Sequence, residues 1–135
     1  MALEAGNTYQ ETFSFTQEEV AAFAKVTGDT NPVHLDEAYA ATTAFKKPIM
    51  HGMLGAGVIS RVMGTKFPGE GSIYLAQDLQ FKRPMYAGIE YVVIATIKET
   101  DPVKHTALIE TVIQDKATGK LCTSGVAQIM NKEKI

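Results

Sequence analysis

The chain has 135 residues, 45% of them hydrophobic, and a formal net charge of −2, which is apolar material enough for one domain over 1–135 with its own core. Its charges are dispersed with no basic tract, which excludes nucleic acid as an expected partner, and a lone cysteine, Cys122, excludes an intrachain disulfide. Three histidines and that cysteine show no metal-ligand spacing, no glycine-rich phosphate loop is present, and no apolar run reaches bilayer length, so no metal, nucleotide cofactor or membrane is expected. Residues 1–7 lack the basic start and apolar run of a secretory signal, and the expected location is cytoplasmic.

Along the chain, Tyr9, Glu11, Phe13 and Phe15 alternate with polar neighbours and predict a first strand. Thr16-Gln17-Glu18-Glu19 is a capping box. Val20, Phe23, Ala24 and Thr27 follow at helical spacing, so a helix runs to Thr27 and stops at Gly28. Residues 36–41 read as a short second helix capped by Asp36, with Ala38, Tyr39 and Ala41 packing. Residues 52–63 form a helix with almost no polar stripe, which predicts burial on all sides. Its Gly55 and Gly57 admit close approach of a backbone or ligand, and its Arg61 must find solvent or a partner.

After a loop over 67–71 the period changes to two. Ile73, Leu75, Leu79 and Phe81 share one face of a strand. Tyr91, Val93, Ala95 and Ile97 mark a second, with Val92 and Ile94 on its other face. Residues 105–114 form a third, and 116–119 turn into a fourth over 120–130. Cys122 reads as a small core residue, His105 as structural, and the charged tail 131–135 as frayed. Sequential strands joined by short turns pair antiparallel, and one apolar helix needs such a sheet around it, so the pattern predicts an α+β fold with an antiparallel sheet.

The segment Asp29-Thr30-Asn31-Pro32-Val33-His34-Leu35-Asp36 puts a carboxylate and an imidazole five positions apart where no continuous helix can form. Pro32 lacks an N–H and biases Asn31 away from helical angles. One reading is a turn in which Asp29 caps its own backbone; the other is a rigid loop holding an acid and a base for proton chemistry. Further on, Pro48-Ile49-Met50-His51-Gly52-Met53 opens the glycine-punctuated helix.

Together these segments resemble the MaoC-like, (R)-specific enoyl-CoA hydratase family, with its D-x-N-P-x-H loop (Asp29, Asn31, Pro32, His34) and its H-G-M helix start (His51, Gly52, Met53). The likeness continues through Gly71-Ser72-Ile73-Tyr74-Leu75 and Leu79-Gln80-Phe81-Lys82-Arg83-Pro84. It departs at Ile89, where the family often has Asp after Gly88. The resemblance implies a hot-dog fold, an antiparallel sheet wrapped around a central apolar helix, and a homodimer. It also implies reversible addition of water to trans-2-enoyl thioesters of CoA or acyl carrier protein.

In that chemistry Asp29 is the expected base and proton carrier, His34 orients the same water, and Asn31 either supports the loop or touches the water. The Gly52 N–H, at a helix start, is the expected oxyanion donor. His51 either packs or caps the helix, or contacts substrate. The resemblance puts Ser60 and Met63 beside the acyl tail, while Lys46, Lys47, Lys82 and Arg83 are candidates for the carrier's phosphates. A hot-dog thioesterase and a non-catalytic acyl-binding module are the competing readings. The first lacks the D-x-N-P-x-H loop, and the second needs neither Asp29 nor His34.

Overall fold

A computed structural model describes residues 2–135; Met1 lies outside them. Strand β1 (Thr8–Phe13) leads into helix α1 (Gln17–Thr27). The capping box forms as expected: Thr16 Oγ1 accepts from the Glu19 N–H at 3.1 Å and Glu19 Oε1 accepts from the Thr16 N–H at 2.9 Å. Gly28, left-handed at φ 79°, closes the helix by donating its N–H to Ala24 O. A 3-10 turn (Pro32–His34) and helix α2 (Glu37–Ala41) follow, the latter capped by the Asp36 carboxylate. In α2 the buried residue is Ala40, whereas Ala38, Tyr39 and Ala41 are exposed. In a helix this short, a phase error of one residue selects the wrong face.

Helix α3 (Gly52–Thr65) packs against strands β4 (Tyr91–Asp101), β5 (Thr106–Asp115) and β6 (Leu121–Met130). Val58, Ile59, Val62 and Met63 meet Val93, Ala95, Ile109, Ile113 and Ile129 in one core. Each of these side chains other than Ala95 contributes roughly 1.5–3 kcal/mol on burial. Cys122 lies in this core, and burial, helped by the Asp115 charge, pushes its thiol up. The expected all-round burial of α3 is not met: Met53, Gly57, Ser60, Arg61 and Gly64 are exposed. Arg61 pairs with Glu11 of β1 at 2.7 Å. A Cβ on Gly55 would stand 2.6 Å from Met85 Cε, so close approach is real there; at Gly57 it would meet nothing within 4 Å.

The sheet is antiparallel with strand order β1-β4-β5-β6-β2, where β2 is Ile73–Gln77 and a short β3 (Gln80–Phe81) also pairs with β6. The single strand expected through Ile73, Leu75, Leu79 and Phe81 is therefore two. Its pleat slips between Tyr74 and Ala76, and pairing is interrupted again at Asp78, whose carbonyl sits over Gly125, before the same register with β6 resumes at Gln80. Asp78 accepts from the Val126 N–H, and Gln77 donates to Asp78 O and to the buried Thr111 hydroxyl. As an edge strand β2 leaves Ile73, Tyr74 and Leu75 exposed.

Two further expectations are corrected. His105 lies in a turn at φ 57°, just before β5, with its Nδ1 donating to Ile135 O. The tail 131–135 is not frayed: Asn131 and Ile135 are buried. Asn131 donates to Glu70 O and Ser72 Oγ and accepts from the N–H groups of Glu133 and Lys134. A side chain with every polar atom paired repays its burial.

A Cβ on Gly125 would stand 1.8 Å from Asp78 O. Gly125→Ala is expected to destabilise the fold by roughly 3 kcal/mol or more, and Gly57→Ala to be neutral or stabilising by up to ~1 kcal/mol. Thermal unfolding checks both; equal melting temperatures for the two variants would contradict the close approach of Asp78 O to Gly125.

Candidate active site

Two irregular segments are zipped together next to the start of α3. The Ile49 N–H donates to Val33 O at 3.1 Å, His34 Nδ1 donates to Ile49 O at 2.8 Å, and His51 Nε2 donates to Asp29 O at 2.9 Å. Gln17 of α1 also donates to His34 O. Asn31 shapes the turn: its side-chain oxygen accepts from the Val33 N–H at 3.2 Å. Because Pro32 lacks an N–H, the chain turns there without leaving a donor unpaired.

The partners of the two rings fix their tautomers, since a carbonyl only accepts. With Nδ1–H committed to Ile49 O, His34 keeps its lone pair on Nε2. One carboxylate oxygen of Asp29 and one ring nitrogen each of His34 and His51 lie within 4.8 Å of one another. A water donating to two acceptors at about 2.8 Å each spans about 4.5 Å between them, a span comparable to the 4.8 Å within which these atoms lie.

The histidines that the sequence scatters thus converge, but as a stack: the His34 and His51 ring centroids are 3.8 Å apart with planes 24° off parallel. Each ring spends one nitrogen on a backbone carbonyl, His34 Nδ1 on Ile49 O and His51 Nε2 on Asp29 O, which leaves one nitrogen free per ring.

A cavity of about 380 Å³ opens beside His34 and Gly52. Met50, Met53, Phe81 and Met85 give it apolar walls, and Lys82 and Arg83 contribute to its lining. Asp29 and Asn31 are solvent-exposed on the neighbouring loop. Gly52 is the first residue of α3, where N–H groups have no intrahelical acceptor and the helix dipole is positive. Ser60 and Met63 do not line this cavity: Met63 is core and Ser60 lies on the exposed face of α3. Lys47 sits over the Tyr86 ring at 4.7 Å.

Phe81 and Met85 went unread as site residues. Phe81 lies against Gly52, where an added Cβ would stand 2.7 Å from the ring. The glycine at the helix start was the available signal, for it marks a place that something else fills.

An antiparallel sheet around a helix, with an Asp–His loop facing the helix start, defines a hydratase-type hot-dog domain. The family model for the MaoC like domain matches residues 2–120, and the chain belongs to that family. It is 47% identical over 105 residues to the (R)-specific enoyl-CoA hydratase of Aeromonas caviae, covering 76% of this chain and 78% of the relative. With the enzyme of the same name from Rhodospirillum rubrum it shares 39% over 117 residues, covering 87% and 80%. A solved structure of the A. caviae (R)-hydratase superposes with a TM-score of 0.92 at 41% identity, covering 97% of this chain and 98% of that one. The fold is the hot-dog fold that those structures share.

Gly52→Ala is expected to displace Phe81 and lower turnover of an enoyl thioester about tenfold, given what small misplacements cost. Adding Phe81→Ala should restore part of that loss. A double variant no better than Gly52→Ala alone would show that this contact is not the cause.

Proposed function

We propose that the chain is an (R)-specific enoyl-CoA hydratase, working as one hot-dog unit over 1–135 and adding water reversibly to trans-2-enoyl thioesters. The observation that carries this is the approach of an Asp29 oxygen and a histidine nitrogen to within 4.8 Å, beside a cavity lined by both His34 and Gly52.

In the proposed step, one water donates to Asp29 and to His34 Nε2, leaving an oxygen lone pair for the β-carbon. As the C–O bond forms, Asp29 takes the water's proton, and the π electrons of the double bond move toward the thioester oxygen. The Gly52 N–H stabilises that charge at the positive end of α3; a donor of this kind is worth about 3 kcal/mol. Asp29 then returns the proton to the α-carbon, giving the 3-hydroxyacyl thioester. Asn31 supports the loop. Lys82 and Arg83, at the cavity wall, supply cations for the phosphates of CoA, and the apolar walls hold the acyl chain. Thioester hydrolysis would instead need attack at the carbonyl carbon and loss of the thiol.

The test follows the enoyl absorbance of crotonyl-CoA together with thiol release. The absorbance should fall with no thiol appearing; thiol release would indicate a thioesterase, and no change in either would indicate a binding module. Asp29→Asn and His34→Ala should each lower kcat by roughly 10²–10⁴-fold while remaining folded. Near-normal turnover in both would refute the dyad.

We further propose a cytoplasmic homodimer. Among the described residues, no helix is long and apolar enough to cross a membrane. Ile73 (56% exposed) and Leu75 on edge strand β2, with Met53 (61% exposed) on α3, leave apolar surface that a second copy would cover. Sedimentation should give twice the mass of the chain, and Ile73→Lys with Leu75→Glu should shift it to monomer. A wild-type chain sedimenting at single-chain mass would overturn this.

A further inference from the structure

We infer that His51 is a positioning residue, holding the Asp29–His34 pair in register with the helix start at Gly52. This rests on the hydratase reading above and extends it to a residue that need not touch the water.

His51 precedes α3 as its N-cap residue but makes no side-chain cap bond. It is 2% exposed, and its ring nitrogens are unequally used. Nε2 donates to the Asp29 carbonyl at 2.9 Å, while Nδ1 is buried without a partner. Burial of an unpaired ring nitrogen costs stability that a phenyl ring in the same slot would not. Packing alone does not account for a histidine here; its Nε2–H bond to Asp29 does.

Other ties on Asp29 are longer and local: its N–H donates to Thr27 Oγ1 at 3.2 Å, and Asn31 N reaches its Oδ1 at 3.5 Å. The His51 bond is shorter and comes from another segment. On one side the His51 ring stacks on His34 at 3.8 Å; elsewhere it meets Phe23 of α1 edge-on at 4.8 Å. The stack restrains His34 from tilting about its single Nδ1 bond to Ile49. His51 thus touches Asp29 by a hydrogen bond, His34 by its ring face and Gly52 through the peptide chain. Of the bonds that set the distance from the proton-transferring pair to the oxyanion donor, the one from His51 is the one that reaches Asp29.

The test separates the hydrogen bond from the packing. His51→Phe keeps a flat buried ring and loses the donor; His51→Gln keeps an N–H donor at similar reach and loses the stack. Crotonyl-CoA hydration should show kcat falling about tenfold or more in His51→Phe, given the penalty for small misplacement, with KM little changed and melting temperature held or raised. His51→Gln should retain the higher kcat of the two. A kcat for His51→Phe equal to or above that of His51→Gln would overturn the inference.

A measurement on the wild-type chain keeps the inference testable should a variant not fold. Nitrogen NMR of the histidine rings should show His51 as the Nε2–H tautomer with a slowly exchanging proton, and an Nδ1–H tautomer would overturn the assignment. Failure of the hydratase reading shows differently: the wild-type chain would not hydrate crotonyl-CoA, or Asp29→Asn would remain active, whatever the tautomer.

Discussion

The site depends on the three hydrogen bonds that join the loop after α1 to the segment before α3. Apart from the single 3-10 turn Pro32–His34, neither segment belongs to a helix or to the sheet, so most of their polar backbone groups lack a partner from regular structure. Val33 O, Ile49 O and Asp29 O each find their donor across the gap, two of them from imidazole rings. The donors that satisfy the backbone are therefore the same rings that stand at the candidate reaction centre. Structure and chemistry share these atoms, and each ring nitrogen spent on a carbonyl decides what the other can do.

The sheet contributes by placing the far wall. The chain interrupts its pairing at Asp78, over Gly125, and resumes on the same edge of β6, so that Phe81 faces Thr123. That register brings the Phe81 ring against Gly52 and puts Lys82 and Arg83 at the cavity, their N–H groups both donating to Cys122 O. The helix start is thus braced from the loop side through His51 and from the sheet side by Phe81. An oxyanion donor works when it is already in position before charge develops, and bracing from two independent elements supplies that.

Much of this was legible in the amino-acid order where the causes are local. The Thr16–Glu19 box, the Gly28 stop and the Asp36 cap lie within one helical turn of what they control, and all three form. The alternation of Tyr91, Val93, Ala95 and Ile97 marked the inner face of β4 because that strand is central, with neighbours on both sides. The same alternation misled at Ile73, Leu75, Leu79 and Phe81, where an edge position, the slip between Tyr74 and Ala76 and the interruption at Asp78 override the pleat. The buried Asn131 was unreadable for a similar reason: its partners Glu70 and Ser72 are remote in sequence. The pair Asp29 and His34 could be named from the loop motif, but the stacked position of His51 depends on how two distant segments meet.

On the proposed reading, the same geometry bears on stereochemistry. An enoyl thioester is planar from its carbonyl to its β-carbon, and an oxygen held at Gly52 fixes one edge of that plane. The dyad stands at one location beside the plane, so water reaches the β-carbon from a single face. If the carboxylate that takes the proton also returns it, the α-carbon is protonated from that face too, and addition is syn. A second, independent acid across the plane would be needed for anti addition. Of the cavity lining, Met50, Met53, Phe81 and Met85 have no proton to give, which leaves Lys82, Arg83 and Thr123 as its proton-bearing side chains besides His34. Handedness at the β-carbon then follows from which face the zipped loop occupies relative to the helix start, a relation fixed by backbone bonds and by the stacked rings.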